Sequence, residues 1–170
     1  GSIIQSLRSI FNEENPTANL IDLGDIVQSV LKITTPELSR RHINIKLRLG
    51  SQAIARVNAP EIQQVILNVL NNAIQAFSTL NQDDKEIVIE TSRQPNGVHL
   101  NIQDNGPGIP VDLQPNIFEL TTSGKRSGMG LGLWLCKQIV SRNGGTISHH
   151  DVATGGTQFL IFLPGGDLPK

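Results

Sequence analysis

The sequence predicts an α+β two-layer sandwich, with helices packed on one face of a mixed, mainly antiparallel sheet. Three observations lead there. Residues 59–77 carry apolar side chains at unbroken three- and four-residue spacing, the pattern of a helix with one buried side. The segments 43–49, 86–93, 98–104, 146–150 and 157–163 read as strands bounded by turn residues. The elements run helix, two strands, helix, two strands, long loop, helix, two strands. Helices on one side of a sheet bury that series most simply.

Length and composition set the frame. A chain of 170 residues is one domain's worth and can bury a core without disulfides. Lys plus Arg is 14 and Asp plus Glu is 15, a net charge of −1. That balance argues against a basic nucleic-acid binder and against an acidic solvating tail. The single cysteine, Cys136, excludes an internal disulfide and a cysteine-rich zinc site, and it reads as a small buried hydrophobe. No stretch reaches the roughly 20 apolar residues of a membrane span. The first residues lack the pattern of a signal peptide. Gly1-Ser2 reads as a cloning remnant, 3–19 as the end of a preceding helix plus a linker, 20–165 as one domain and 166–170 as a tail.

The elements follow in order. Ile3, Leu7, Ile10 and Phe11 have helical spacing, and the polar run 12–19 with Pro16 reads as linker. Asp22 caps a helix to about Arg40, with Ile26, Val27, Val30, Leu31, Thr34 and Leu38 on its apolar side. Pro36 is expected to kink or restart its last turn. Ile43, Ile45, Leu47 and Leu49 alternate as a strand, and Ala53–Val57 is a second one, joined by a hairpin at Gly50-Ser51. Asn58 and Glu61 make an N-cap and N3 pair for the helix over 59–77, with Pro60 tolerated in its first turn. Pro95-Asn96-Gly97 signals a hairpin between strands 86–93 and 98–104. A helix over 131–141, with Leu131, Trp134, Leu135, Gln138 and Ile139 as contacts, stops at Asn143-Gly144-Gly145. Strands 146–150 and 157–163 follow, separated by Gly155-Gly156.

Three features carry chemistry. Asn68 and Asn72 lie four apart on one side of the strongest helix. They either sit at the solvent edge or turn their amides into a cleft to hold a hard cation or water. Asp104-Asn105-Gly106-Pro107-Gly108-Ile109-Pro110 leaves a strand directly. It is either a tight turn or a seat for a flat ligand, the carboxylate accepting from an exocyclic amine and the glycines allowing close approach. Gly128-Met129-Gly130-Leu131-Gly132-Leu133 enters a helix and opens its N–H groups to an anion, with Lys125 and Arg126 just upstream. It matches neither the P-loop nor the dinucleotide fingerprint. A nucleotide with Mg2+ uses all three, and the loop between Asn105 and Gly130 then serves as a lid.

With these residues in view, the sequence resembles the ATP-binding catalytic domain of bacterial sensor histidine kinases, from about Leu20 to Leu163. That domain belongs to the superfamily of DNA gyrase, the Hsp90 chaperones and MutL. The style is nearest to nitrogen-regulation and oxygen-sensing kinases. QQVILNVLNNAIQAF is similar to the N box, DNGPGIP to the first glycine box, and NIFELTTSGKRSGMGLGLWLCKQIV to the F box, lid and second glycine box. GGTQFLIFLP is similar to the last glycine element.

The resemblance implies a Bergerat-type fold with ATP and Mg2+ as its ligands. It implies that Asn72 holds the metal, Asn68 reaches phosphate and Asp104 binds adenine. Gly106, Gly108 and Ile109 lie beside that base, and Thr157 supports it through water. Lys125, Gly128, Met129, Gly130, Leu131, Gly132 and Leu133 cradle the phosphates. Asn68, Asn72 and Lys125 are the implied catalytic residues. The implied partners are a dimerisation domain bearing the acceptor histidine, of whose second helix 3–11 would be the end, and a response regulator. Nucleic acid is not among them. The implied parent is a homodimer, soluble or anchored in the inner membrane, with this domain cytoplasmic and the fragment itself monomeric.

The sequence departs from that family at Leu120-Thr121, where a second aromatic is expected, and at Met129, where a hydroxyl residue is usual. None of His42, His99, His149 and His150 precedes a Glu in a helix, so the acceptor is expected elsewhere. Two other classes remain. A hydrolytic ATPase of the same superfamily usually carries a catalytic glutamate in the slot occupied here by Asn68. A non-catalytic nucleotide sensor or docking module would fit the altered F box.

Overall fold

Helix α2 spans Ala59–Phe77, as its periodicity requires. Asn58 caps it, its Oδ1 accepting from the Glu61 N–H at 3.0 Å. Ile62, Val65, Ile66, Val69, Leu70, Ala73, Ile74 and Phe77 are all buried. The computed structural model describes residues 18–78, 81–120 and 129–165, with backbone alone for 129–131. The expected helix end and linker over 3–17, the tail 166–170 and the lid residues 121–128 lie outside the described residues.

Seven strands and two further helices complete the order. They are β1 (Asn19–Asp22), α1 (Leu23–Arg40), β2 (Asn44–Leu49) and β3 (Ile54–Val57), then after α2 β4 (Glu86–Gln94) and β5 (Gly97–Asp104). A 3-10 turn at Gln114–Asn116 precedes α3 (Met129–Arg142), β6 (Thr146–Asp151) and β7 (Thr157–Pro164). The main sheet has the order β2-β4-β5-β7-β6, parallel only between β2 and β4. Its inward residues Ile87, Ile89, Thr91, Leu100, Ile102, Phe159 and Ile161 are buried under the helices. The α+β sandwich with a mixed, mainly antiparallel sheet is therefore the observed fold.

Several expectations need correction. Gly50-Ser51 is not a hairpin turn between β2 and β3. Strand β2 pairs with β4, and β3 pairs antiparallel with β1 in a separate two-stranded sheet. The parallel pairing is possible because β3 and α2 form the long crossover that parallel strands need. Asn19, read as the end of a linker, and Asp22, read as a helix cap, bound a strand, Asn19–Asp22, that precedes the helix. Helix α1 runs through Pro36 without a restart. Pro36 lies on the exposed side, where water can satisfy the carbonyl left without its N–H. The cap at Asp22 is as expected, its Oδ1 accepting from the Gly24 N–H at 2.8 Å. In α3 the buried side chains are Leu133, Leu135, Cys136, Ile139 and Val140, whereas Trp134 and Gln138 are only half-buried.

The β4–β5 hairpin turns on Pro95-Asn96, and Gly97 already belongs to β5. A Cβ at Gly97 would stand 2.1 Å from the Leu163 carbonyl oxygen, so only glycine lets β5 and β7 close there.

Leu70 is fully buried between helix and sheet. Leu70→Ala is expected to cost roughly 2–5 kcal/mol of unfolding free energy, read from urea denaturation.

Candidate functional site

Strand β5 ends at Asp104, and the site begins there. Asp104 is 6% exposed, and its Oδ1 accepts from the Gly106 N–H at 2.9 Å. Burial raises its pKa above the ordinary carboxyl value, while the backbones of Gly106 and Thr157 pull it part-way back. Thr157, also buried, pairs with Asp104 across β5 and β7. The strands meet this closely because Gly156 has φ +110° and its Cβ would stand 1.9 Å from the Asp104 carbonyl oxygen. Gly106 lies over Phe77 at the end of α2, a Cβ there meeting the ring at 3.6 Å. Asp104, Gly106 and Thr157 are thus brought together. Gly108 has φ +79° and faces the Gly156 carbonyl, and half-buried Ile109 packs against the core.

The loop after Asp104 is pinned by side chains the sequence reading gave no role. Asn105 Oδ1 accepts from the Glu86 N–H at 2.8 Å and its Nδ2 donates to the Asp84 carbonyl at 2.6 Å. Gln114 Nε2 donates to the Ile109 carbonyl at 2.9 Å and to Asp151 Oδ1 at 3.0 Å. Phe118 packs edge-on to Phe159 at 6.2 Å and near His149 at 5.9 Å, with Lys137 Nζ 5.9 Å from its centroid. Phe118 therefore anchors this segment without a second aromatic; Leu120 is exposed.

Helices α2 and α3 run side by side in opposite directions. Asn143 at the end of α3 donates to Glu61 Oε1 at 3.0 Å, and its Oδ1 accepts from the Asn58 N–H at 3.0 Å. Further along, the Cys136 thiol meets the Val65 carbonyl at 3.7 Å. Burial pushes that thiol up to about 12, slightly opposed by the Asn68 amide beside it. The cysteine is thus the inert buried hydrophobe expected. Asn68 lies in this seam rather than at the solvent edge, with Nδ2 buried and without a hydrogen bond. Asn72, one turn on toward the start of α3, is half-buried, and its Nδ2 is likewise buried and unpaired. A Cβ at Gly132 would meet nothing within 4 Å, and Leu133 beside it is buried.

Amide nitrogens without a hydrogen bond can donate to an anionic ligand. Among the described residues no group of three or more His, Cys, Asp or Glu could hold a metal. A hard cation here would be held by an amide oxygen and by a ligand's own phosphates, which fits Mg2+. Met129, Gly130 and Leu131 are placed by backbone, in the first turn of α3. Lys125 and Gly128 lie outside the described residues.

The sequence profile of the family described as histidine kinase-, DNA gyrase B-, and HSP90-like ATPase matches residues 57–167. The chain belongs to this family. As a family member it is 29% identical over 169 residues to the C4-dicarboxylate transport sensor protein DctS of Rhodobacter capsulatus, covering 96% of this chain and 25% of that protein. It is 32% identical over 168 residues to DctB of Rhizobium meliloti, covering 96% of this chain and 26% of that one. The chain thus spans about a quarter of the length of these curated relatives. In fold it is similar to the catalytic domain of histidine kinase ThkA in a nucleotide-free form, with TM-score 0.76 and 23% identity over 86% of this chain and 95% of that one.

Two sets of substitutions test this geometry. A carboxyl whose pKa is raised by folding adds stability below its unfolded pKa and loses it as pH rises through the folded value. Asp104→Asn is therefore expected to raise the Tm of the ligand-free domain at neutral pH. That gain should shrink toward the ordinary carboxyl pKa of about 4, read from melts across pH. Gly132→Ala is expected to keep or raise ligand-free stability, by roughly 0.5–1 kcal/mol at most, since alanine favours helix. Gly156→Ala should unfold the domain or lower its Tm sharply, and circular-dichroism melts distinguish the two glycines.

Proposed function

We propose that this chain is the ATP-binding catalytic domain of a sensor histidine kinase, which transfers the ATP γ-phosphoryl group to a histidine on a separate dimerisation domain. The observation that carries this reading is the pair of buried amide nitrogens of Asn68 and Asn72 that make no hydrogen bond. The family membership and the sensor-protein relatives support it.

Each site residue takes a distinct role in this reading. Asp104 accepts from the adenine amino group, which guanine lacks at that position, while Gly106 and Thr157 hold the carboxylate in place. Backbone N–H groups at the start of α3, from Met129 to Leu133, together with Lys125 and Gly128, receive the phosphates. Asn68 donates to a phosphate oxygen, and Asn72 is the residue that holds Mg2+. When bound, Mg2+ neutralises charge on the phosphates. In the transfer, an imidazole nitrogen bonds to the γ-phosphorus as its bond to the bridging oxygen breaks, and ADP keeps the electron pair. Such transfer rests on positioning and charge stabilisation.

The four histidines of this chain suit structural places better than the acceptor role. His42 lies two residues past α1 with φ 57°, and His99, His149 and His150 lie in strands. The acceptor is therefore assigned to a separate dimerisation domain of a homodimeric parent, soluble or anchored in the inner membrane, with this domain cytoplasmic, and the receiving response regulator to a partner protein.

Calorimetric titration with a non-hydrolysable ATP analogue tests this reading. Binding is expected to be magnesium-dependent and stronger than for the matching GTP analogue. Absence of binding by the folded domain, or equal affinity for the two bases, refutes it. Asn72→Ala is expected to abolish most of the magnesium dependence while the domain stays folded. Asp104→Asn is expected to cost about 1.5–3 kcal/mol of adenine binding, as for a charge-assisted hydrogen bond.

A further inference from the structure

We propose that Gln82 is a positioning residue for the Asp104 carboxylate, acting on it through the single peptide unit between Asn105 and Gly106; this rests on the nucleotide-binding reading above, in which Asp104 receives adenine. Gln82 lies half-buried in the loop between α2 and β4, outside the segments that carry the family resemblance. Its Nε2 donates to the Asn105 carbonyl oxygen at 2.9 Å. The N–H on the other side of that same peptide is that of Gly106, and it donates to Asp104 Oδ1 at 2.9 Å. The peptide is trans, hence planar with its C=O and N–H pointing in opposite directions. A bond that fixes the direction of the carbonyl therefore also fixes the direction of the N–H that holds the carboxylate.

Little other freedom remains at this point. Asn105 Oδ1 accepts from the Glu86 N–H at 2.8 Å, its Nδ2 donates to the Asp84 carbonyl at 2.6 Å, and its backbone N–H donates to the Glu86 carbonyl at 3.3 Å. These bonds place the Asn105 Cα and Cβ but leave its ψ, the rotation that turns the 105–106 peptide. Gln82 and Asp104 hold that peptide from its two sides. The polarity of this chain of bonds is fixed by backbone groups. The Gln82 NH2 faces two carbonyls, that of Asn105 and, at 3.5 Å, that of Asp84. Turning the Gln82 amide alone would set its oxygen against both. Turning the amide and the peptide together would aim the Asn105 carbonyl at the Asp104 carboxylate, acceptor against acceptor, where Asp104 is only 6% exposed. Donation to the Asn105 carbonyl also polarises the peptide and strengthens Gly106 as a donor. The Thr157 backbone supports the carboxylate as well, so the hold that depends on Gln82 is one of two. Gln82 thus sharpens the choice of adenine without needing to touch the base.

The test pairs nucleotide affinity with a readout in the ligand-free domain. Gln82→Met keeps the side-chain length and removes the donor. It is expected to weaken binding of the magnesium–ATP analogue by about three- to tenfold, the effect of one hydrogen bond, and that of the GTP analogue by less than about twofold. In an Asp104→Asn background the same substitution should add less than about twofold, because its route is gone. Equal losses for the two analogues, an undiminished loss in that background, or unchanged ATP-analogue binding overturns the proposal. In the ligand-free domain the Asp104 carboxyl, followed by 13C NMR, should titrate at higher pH in Gln82→Met, because a weakened Gly106 bond opposes the effect of burial less. An unchanged Asp104 titration also overturns it. Gln82→Glu keeps the shape and turns an acceptor to the same carbonyls; it should lose at least as much affinity, and it carries the test if Gln82→Met does not fold. In the unsubstituted domain the Gln82 NH2 protons should exchange several-fold more slowly than those of exposed Gln28, and equal rates refute the bond. A folded domain that binds neither analogue overturns the adenine role together with the function, while the Asp104 titration separately reports whether Gln82 acts on the carboxylate.

Discussion

The rotation of α2 about its own axis is the constraint on which the site depends. Its apolar stripe, from Ile62 to Phe77, is buried against the sheet and the neighbouring helices, and that burial leaves little freedom of rotation. Once that stripe is set, Glu61, Gln64, Asn68 and Asn72 must share the adjoining side, because they recur at the same helical spacing. That side meets α3 rather than water. A turn of the helix by one residue would swing these groups by roughly 100° and put apolar side chains in the seam instead. The hydrophobic core thus fixes where the polar chemistry falls.

The seam between α2 and α3 is polar at a cost. Glu61 is buried; its Oε1 takes the Asn143 amide, and its Oε2 makes no hydrogen bond but lies 3.9 Å from Arg142 Nε in an ion pair. Asn143 in turn accepts from the Asn58 N–H, so one side chain joins the last turn of α3 to the first turn of α2. An apolar seam would bury the same area without those desolvation losses. A polar bridge, however, has a single geometry, whereas apolar surfaces can slide. Tying the far ends of two antiparallel helices fixes the register of their near ends, where Asn72 lies and where the N–H groups of α3 open.

Local signals were legible in the sequence, and pairings were not. Periodicity located α2, the turn residues located the β4–β5 hairpin, and Asp22 and Asn58 cap the helices they were assigned to. The partner of β2 was misread because a strand's alternation says which face is wet but not which strand lies beside it. Gly50-Ser51 has hairpin chemistry, yet the gain from pairing β2 with the long interior strand β4 prevails. Strand β1 was missed because four residues are too few to show a period. In the site, Asn68 and Asn72 stood out as poor helix formers flanking an apolar stripe, and Asp104 as an acid at a strand end just before a glycine-rich turn. Asn105 and Asn143 did not, because each acts through bonds to residues far off in the chain, whose positions only the fold supplies. Residues 58 and 143 are 85 apart in the chain, and no spacing rule reaches that far.

The two ends of the site differ in how much the protein completes by itself. At the Asp104 end, the carboxylate is held by backbone groups, and the following loop is tied at Asn105, Gln114 and Phe118. That end is formed before any ligand arrives, which suits selection of one flat base by one buried acceptor. At the Asn68 and Asn72 end, buried N–H groups remain unpaired. Such groups lower the stability of the ligand-free fold, and a ligand oxygen that pairs them relieves the loss as it binds. A phosphate chain reaching this end therefore gains from the protein's own unsatisfied groups as well as from its charge. The protein's stability is linked to occupancy in the same proportion. On the proposed function, the preformed end would discriminate and the unsatisfied end would supply affinity, and α2 contributes to both, since Phe77 underlies the Asp104 loop while Asn68 and Asn72 lie on the side of α2 that faces the seam.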